Sequence, residues 1–245
     1  MSGLFGSNSE DYKKYRPLYP KELIEFLAGV CTENELAWDC GCGTGQVSIT
    51  LSNYFRQVVG TDISSGQTKN AEKADNIIYR VSAEDHSGLE HNSADLVTCA
   101  QALHWFDLNK FYKEVTRVLK PGGIIAVWTY NLFRVNKEID ELIDRFYFGN
   151  IYNYWPEERK QVENGYSDLE FPYTRIAVPE FSMETEWDID QLIGYLNTWT
   201  GVQNYIEIEC FSPLEFIEKD LADLWGEENL KKKIKWPLTV LAGRV

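Results

Sequence analysis

Along residues 21–130 the apolar positions alternate between two rhythms. Short unbroken apolar runs predict strands, and apolar residues three and four apart predict helices. The runs fall at residues 36–40, 57–61, 77–81, 94–100 and 124–129. The run 94–100 is apolar on both faces, as a central parallel strand is. Helical spacing falls between the runs, at 21–29 behind Pro20 and at 46–54, 65–74 and 109–119. Lys120-Pro121-Gly122-Gly123 reads as a turn ahead of the fifth strand. Strand–helix alternation at this spacing predicts a doubly wound α/β fold with a mostly parallel sheet. Crossovers in such a sheet are right-handed, and ligands gather at the carboxyl ends of its strands.

After residue 130 the rhythm breaks. Residues 137–148 read as a helix, followed by an aromatic and polar stretch around Tyr152, Tyr154 and Trp155. Helical spacing returns at 188–199 and 213–225, and 236–245 reads as a terminal strand. The expected organisation is one domain. Residues 1–130 form a core with an N-terminal cap, 131–172 an inserted lid, and 173–245 the rest of the sheet and further elements.

Composition narrows the partners. The 245 residues carry 38 acidic and 24 basic side chains, a formal net charge of -14, which leaves no general electrostatic footprint for nucleic acid or an anionic membrane. The one basic cluster, Lys231, Lys232, Lys233 and Lys235, reads as a solvated face. No apolar run is long enough to span a bilayer. An odd number of cysteines behind an opening without basic and apolar leader regions predicts reduced thiols in the cytoplasm. Cys40-x-Cys42, with His86 and His91 elsewhere, lacks the ligand count of a zinc site, so no metal is expected.

The most informative stretch is Trp38-Asp39-Cys40-Gly41-Cys42-Gly43-Thr44-Gly45-Gln46, which closes a strand and opens a helix. Glycine serves where backbone adopts positive φ or a ligand presses on the main chain. The dinucleotide fingerprint G-x-G-x-x-G would need its third glycine at position 46, which is Gln, and no Lys-Ser or Lys-Thr pair follows for a phosphate loop. Acids surround the loop instead: Asp39 before it, Asp62 at the end of the second strand, Glu84-Asp85 after the third. An acid at a strand end accepts hydrogen bonds from a ribose diol. The layout suits a nucleoside that carries positive charge and no phosphate.

The run from Asp39 to Gly45, with Asp62, Ala83-Glu84-Asp85 and Leu119-Lys120-Pro121-Gly122-Gly123, resembles the class I S-adenosylmethionine-dependent methyltransferases over about residues 36–130. The resemblance implies a seven-stranded Rossmann-like sheet with a lid after the fifth strand. The cofactor it implies is S-adenosyl-L-methionine, released as S-adenosyl-L-homocysteine. Phe5, Tyr12, Tyr15-Arg16-Pro17 and Tyr19-Pro20 resemble a small-molecule branch that includes trans-aconitate-type methyltransferases. Tyr195-Leu196-Asn197-Thr198-Trp199-Thr200, Trp225-Gly226, Trp236-Pro237 and Gly243-Arg244 resemble it too.

By this resemblance Gly41, Cys42, Gly43 and Gly45 line the methionine part of the cofactor and Asp39 holds its ammonium group. Asp62 takes the ribose hydroxyls, with Ile63, Ala83 and Glu84 around the adenine. Gln101 ends the fourth strand where the methyl group is presented, and Tyr12, Tyr15 and Arg16 cap the cofactor. Tyr19, Trp105, Tyr130, Trp199 and Arg244 are candidates for the acceptor pocket. His104 is either a general base or a structural histidine beside Trp105. Arg16 and Arg244 are candidates to pair with an acceptor carboxylate, and a carboxylate nucleophile needs no base.

Three rivals stay open. A nicotinamide-dependent oxidoreductase conflicts with the missing glycine and with the lack of a Tyr-x-x-x-Lys motif. A non-catalytic protein that binds S-adenosylmethionine would keep the same loop. A nucleic-acid methyltransferase conflicts with the charge, and the lack of a separate recognition domain counts mildly against both a nucleic-acid and a protein methyltransferase.

Overall fold

The computed structural model describes Tyr15 and residues 17–245. The chain packs as two units, each assembled from separated segments. The first comprises Tyr19–Tyr130, Lys160–Phe181 and Leu238–Val245. The second comprises Met1–Leu18 (of which Tyr15, Pro17 and Leu18 are described), Asn131–Arg159 and Ser182–Pro237. Residue 172, the expected end of the lid, is not a border between units, and the chain passes from one unit to the other after 159 and again after 181.

The first unit holds a seven-stranded sheet. Its strands are β1 (Leu36–Cys40), β2 (Gln57–Asp62), β3 (Ile77–Val81), β4 (Ala94–Ala100), β5 (Leu119–Tyr130), β6 (Thr174–Arg175) and the second half of β8 (Lys232–Arg244), with β7 (Ser182–Trp187) lying in the second unit. The order is β3-β2-β1-β4-β5-β8-β6. Pairing is parallel through β5, and β8 returns antiparallel, from Ile124 opposite Arg244 to Tyr130 opposite Leu238. The order reverses direction between β1 and β4, the switch point where doubly wound sheets bind ligands. Helices α1 (Lys21–Val30), α2 (Gln46–Leu51), α3 (Ser65–Lys69) and α4 (Leu108–Val118) cover the faces. On one face Leu23, Ile24 and Leu27 pack with Ala37, Val58 and Trp128, and on the other Phe111 and Val115 pack with Trp38, Val97 and Val127.

Two helices stop sooner than their apolar spacing predicts. α2 ends at Leu51, not 54, and the Asn76 amide donates to the carbonyls of Ser52 and Phe55 just beyond it. α3 ends at Lys69, not 74, where the Glu72 amide donates back to Thr44 in the glycine loop. The expected turn at 120–123 lies inside β5 as an irregularity: β4 pairs Ala94 with Leu119 and then Leu96 with Ile124.

The second unit contains α5 (Lys137–Arg145), α7 (Ile189–Asn197), α8 (Thr200–Glu209) and α9 (Glu218–Trp225), with short α6 (Arg159–Glu163) beginning at its border. β7 pairs antiparallel with the first half of β8. Lys233 and Lys235 alternate there with the buried Ile234 and Trp236 and face Glu184, so the lysine run is the solvated face of a strand. The helix expected to reach Phe148 leaves α-geometry at Phe146 and continues as a π-helical turn to Ile151. The segment expected as one helix over 213–225 is a 3-10 turn, Pro213–Phe216, followed by α9. The structure adds α6, β6, β7 and α8 to the predicted strands and helices.

An aromatic core holds this unit together. Phe133, Tyr147, Trp155, Trp187, Tyr195, Trp199 and Trp236 interlock with ring centroids 5.3–6.3 Å apart. Such pairs add about 0.5–1.5 kcal/mol each beyond their area burial. Among the described residues, no helix is long and apolar enough to cross a membrane.

Candidate functional site

The glycine loop leaves β1 and turns under the end of β2. The amides of Gly41 and Cys42 both donate to the Thr61 carbonyl, at 2.8 and 3.0 Å, and Gly45 donates to Cys42 at 2.9 Å. Gly41, Gly43 and Gly45 have φ of +72, +53 and +81°. Two of the three are also demanded by packing. A Cβ on Gly41 would stand 2.6 Å from Ala102 Cβ, and one on Gly45 would stand 2.2 Å from the Tyr79 hydroxyl. Gly43 differs, since its nearest neighbour would be Gln67 Oε1 at 4.0 Å. The bare Cα of Gly43 is therefore the one that leaves room for a ligand to lie against the loop.

Asp62 closes β2 and braces this loop. Its Oδ2 accepts from the Gly43 amide at 2.9 Å and its Oδ1 from the Ser64 amide at 2.8 Å. Each oxygen keeps a lone pair, so the carboxylate is oriented and still able to accept from a diol. Ile63 beside it is 78% exposed, an apolar shelf, and Val81 at the end of β3 is exposed as well.

Asp39 is buried at the end of β1, where Ser48 Oγ donates to Oδ2 at 2.6 Å and Thr98 Oγ1 donates to Oδ1 at 2.9 Å. Burial pushes its carboxyl up to about 6 against those two bonds, with a smaller upward push from Asp62. Cys42 is buried, and Ala83 sits half-buried after β3. Glu84 Oε1 accepts from the Asp107 amide at 3.1 Å, linking this segment to the N-cap of α4.

At the carboxyl ends of β4 and β5 the expectations are only partly met. Gln101 has a left-handed backbone, φ +53°, and its side chain faces β5: Nε2 donates to the Tyr130 carbonyl at 3.0 Å and Oε1 accepts from Thr129 Oγ1. The amide expected to meet the cofactor therefore joins two strand ends, bonding the Tyr130 carbonyl and the Thr129 hydroxyl. Tyr19 packs edge-on against Trp128 and Tyr130, with centroids 5.6 and 6.4 Å away. His104 Nδ1 meets the hydroxyl of the buried Tyr166 at 3.0 Å, and Trp105, 37% exposed, lies against the imidazole with ring centroids 4.9 Å apart.

Two acceptor-pocket candidates are taken up in packing and backbone bonds. Arg244 pairs opposite Ile124, at the start of β5 and away from the carboxyl ends. Its Nη1 donates to the Gly122 carbonyl at 2.5 Å and its Nη2 to the Val30 carbonyl at 3.0 Å, so it staples the β5 irregularity to the end of α1. Trp199 is buried in the aromatic core of the second unit. In both cases a C-terminal motif resembling a binding pocket serves packing. Arg244→Met is expected to cost about 1–3 kcal/mol of stability, the range for stranding bonded polar groups, with the KM for any acceptor unchanged. Denaturant unfolding beside steady-state kinetics checks both.

Tyr15 lies in the second unit, its ring seated over Gly194, where a Cβ would come within 2.6 Å of it. Tyr12 and Arg16 lie outside the described residues. Ser48, Thr98, Ser64 and Tyr79 carry the geometry of the loop, and no sequence motif marks them. Ser48 and Thr98 reach Asp39 from positions 9 and 59 residues away.

A switch-point site built from a glycine loop, an oriented acid on the next strand and a buried acid before the loop defines a nucleoside-binding Rossmann-like fold. The methyltransferase-domain family model matches residues 38–127. A Dictyostelium discoideum protein named as a methyltransferase is 37% identical over 207 residues, 83% of this chain and 79% of that protein. A solved structure described as a type II methyltransferase from Anaeromyxobacter dehalogenans is 37% identical, with a TM-score of 0.89 over 94% of this chain and 98% of that one. A Saccharomyces cerevisiae protein named as an S-adenosylmethionine-dependent methyltransferase is 34% identical over 134 residues, 50% of this chain and 45% of that protein. The chain belongs to the class I S-adenosylmethionine-dependent methyltransferases. Its methyl donor is S-adenosylmethionine and the spent cofactor is S-adenosylhomocysteine.

Proposed function

We propose that this methyltransferase acts in the cytoplasm on a small-molecule acceptor that carries a carboxylate, not on nucleic acid. Charge carries the small-molecule reading: a net charge of -14 gives the chain no general electrostatic attraction for a polyanion.

The residues at the loop fit the donor. Gly43 admits the methionine portion, Asp62 accepts from the ribose hydroxyls, Ile63 and Ala83 flank the adenine with Glu84 at its edge, and Asp39 faces the ammonium group through Ser48 and Thr98. When bound, the donor supplies a methyl group on a sulfonium, and the acceptor–carbon bond forms in line as the carbon–sulfur bond breaks. The protein's share is alignment and exclusion of water. An acceptor carboxylate has no proton to lose. A hydroxyl or amine acceptor has one, and His104, oriented by Tyr166, is then the base in reach. Purified protein given isotopically methyl-labelled donor is expected to label the small-acid fraction of a cell extract. Label in RNA or protein fractions alone would overturn the reading.

The buried Asp39 gives the site a pH signature. The fold holds its proton more tightly than the unfolded chain does, with an ordinary value of 3.8. Asp39 therefore favours folding at acid pH, and that contribution is lost as pH rises through about 6. A cation beside it favours the ionised form, so S-adenosylhomocysteine affinity is expected to rise from pH 5 to 7 and then level off. Asp39→Asn should flatten that profile and unfold at a higher temperature than wild type at pH 8 without ligand. Calorimetry and thermal melts read the two effects, and an unchanged profile in the variant would remove Asp39 from the ammonium site.

A further inference from the structure

The segment that follows β3 is fixed at both ends, and Ala83 and Glu84 lie between the two fixings. At its start the Ser82 amide donates to the Asp62 carbonyl at 3.0 Å. At its far end the buried Ser87 is gripped by Glu114 of α4. Glu114 Oε1 accepts from the Ser87 amide at 2.9 Å and from the Ser87 hydroxyl at 2.5 Å. Arg117 holds Glu114 in a fork: Nε donates to Oε2 and Nη2 to Oε1, both at 2.7 Å. The same Nη2 donates to the Leu89 carbonyl at 2.8 Å, so the segment is tied to the pair there as well. Burial pushes the Glu114 carboxyl up, but the bonds from Arg117 and Ser87 outweigh it and hold the group down at about 2, so the grip stays ionised at neutral pH. α4 meets the segment at a second point, where the Asp107 amide at its N-cap donates to Glu84 Oε1 at 3.1 Å. One helix therefore sets both the position of the segment and the direction of the Glu84 carboxylate, and all of these residues lie in the first unit. A partly buried ion pair is often worth no more to stability than apolar residues of the same size, because desolvation offsets attraction. What the fork secures here is one geometry.

We propose that Glu114, clamped by Arg117, is a positioning residue for adenine recognition: it seats Ser87 so that Glu84 presents a carboxylate oxygen to the exocyclic amine of the donor's base. This deepens the reading of Glu84 above and rests on it. Glu114 acts on the donor only through Ser87 and the backbone behind Glu84. A glutamate in the middle of an amphipathic helix carries no mark of such a role in the sequence.

The test compares S-adenosylhomocysteine with S-inosylhomocysteine, in which a carbonyl oxygen replaces the exocyclic amine and would meet the carboxylate acceptor against acceptor. Titration calorimetry on full-length protein, well below the Tm of each variant, reads both affinities. Wild type is expected to prefer the adenosyl ligand by about tenfold or more, the range of one hydrogen bond to a charged group. Glu114→Gln keeps an oxygen for Ser87 and strands Arg117. It should cut the preference to about threefold or less, chiefly by weakening the adenosyl ligand. Ser87→Ala removes the hydroxyl and keeps the amide. It should move the preference in the same direction by less, covering the case in which Glu114→Gln does not fold. A brace of the fold alone would lower Tm and leave the preference unchanged in both variants, and that result would overturn the assignment. Glu84→Gln separates the two levels of the argument. Preference lost in Glu84→Gln but intact in Glu114→Gln and Ser87→Ala would sink the positioning role and leave Glu84 at the adenine. Preference untouched by Glu84→Gln, or absent in wild type, would sink the reading of Glu84 and the positioning role with it.

Discussion

Asp62→Ala is expected to weaken S-adenosylhomocysteine binding by roughly two to four orders of magnitude. Two ribose hydroxyls on an ionised carboxylate contribute about 1.5–3 kcal/mol each, and every 1.4 kcal/mol is about tenfold in affinity. The loss compounds, because the same carboxylate holds the amides of Gly43 and Ser64, and the loop loses its brace along with its ligand. Asp62→Asn is not expected to rescue binding. Its amide nitrogen would face one of those two N–H groups, donor against donor. Titration calorimetry on both variants decides the matter, and affinities within threefold of wild type would remove Asp62 from the ribose site.

Trp236→Ala is expected to have the largest effect on stability, about 3–5 kcal/mol, the cost of truncating a fully buried aromatic. Trp236 packs on Phe133, Trp187 and Tyr195 at 5.8, 5.3 and 5.4 Å, and its Nε1 donates to the Tyr195 hydroxyl at 3.1 Å. In a chain of this length that is a fall of roughly 10 °C in Tm. The residue belongs to the second unit and the donor loop to the first, so S-adenosylhomocysteine affinity at 15 °C should be nearly unchanged. A Tm within 2 °C of wild type would show that the aromatic core does not carry the stability of the second unit.

The difference between these two predictions follows how legible each region was in the sequence. Asp62 is visible because its role is local in the fold's logic: a strand end, one helix after a glycine loop, in a register set by parallel pairing of β1 and β2. Trp236 reads only as an apolar residue near a terminal strand. Its partners lie 41 to 103 residues away, and nothing in the spacing of the chain announces them. Gln101 shows the same limit at short range. Its position at the end of β4 was legible, while the direction of its amide depended on the Thr129 hydroxyl and Tyr130 carbonyl at the end of β5.

The sequence by itself determined the alternation of strands and helices, the glycine loop and the acids at the ends of β1 and β2. These follow from local apolar period and from the steric permission of glycine, which act over a few residues. Tertiary structure decided which glycine faces open space, that Arg244 staples Gly122 to the end of α1, that Trp199 is core, and that Arg159 meets Tyr147, Asn131 and Trp155. Those are properties of side chains that meet across long stretches of chain. A residue's role there depends on what the rest of the fold leaves unsatisfied beside it, and no local pattern encodes that remainder.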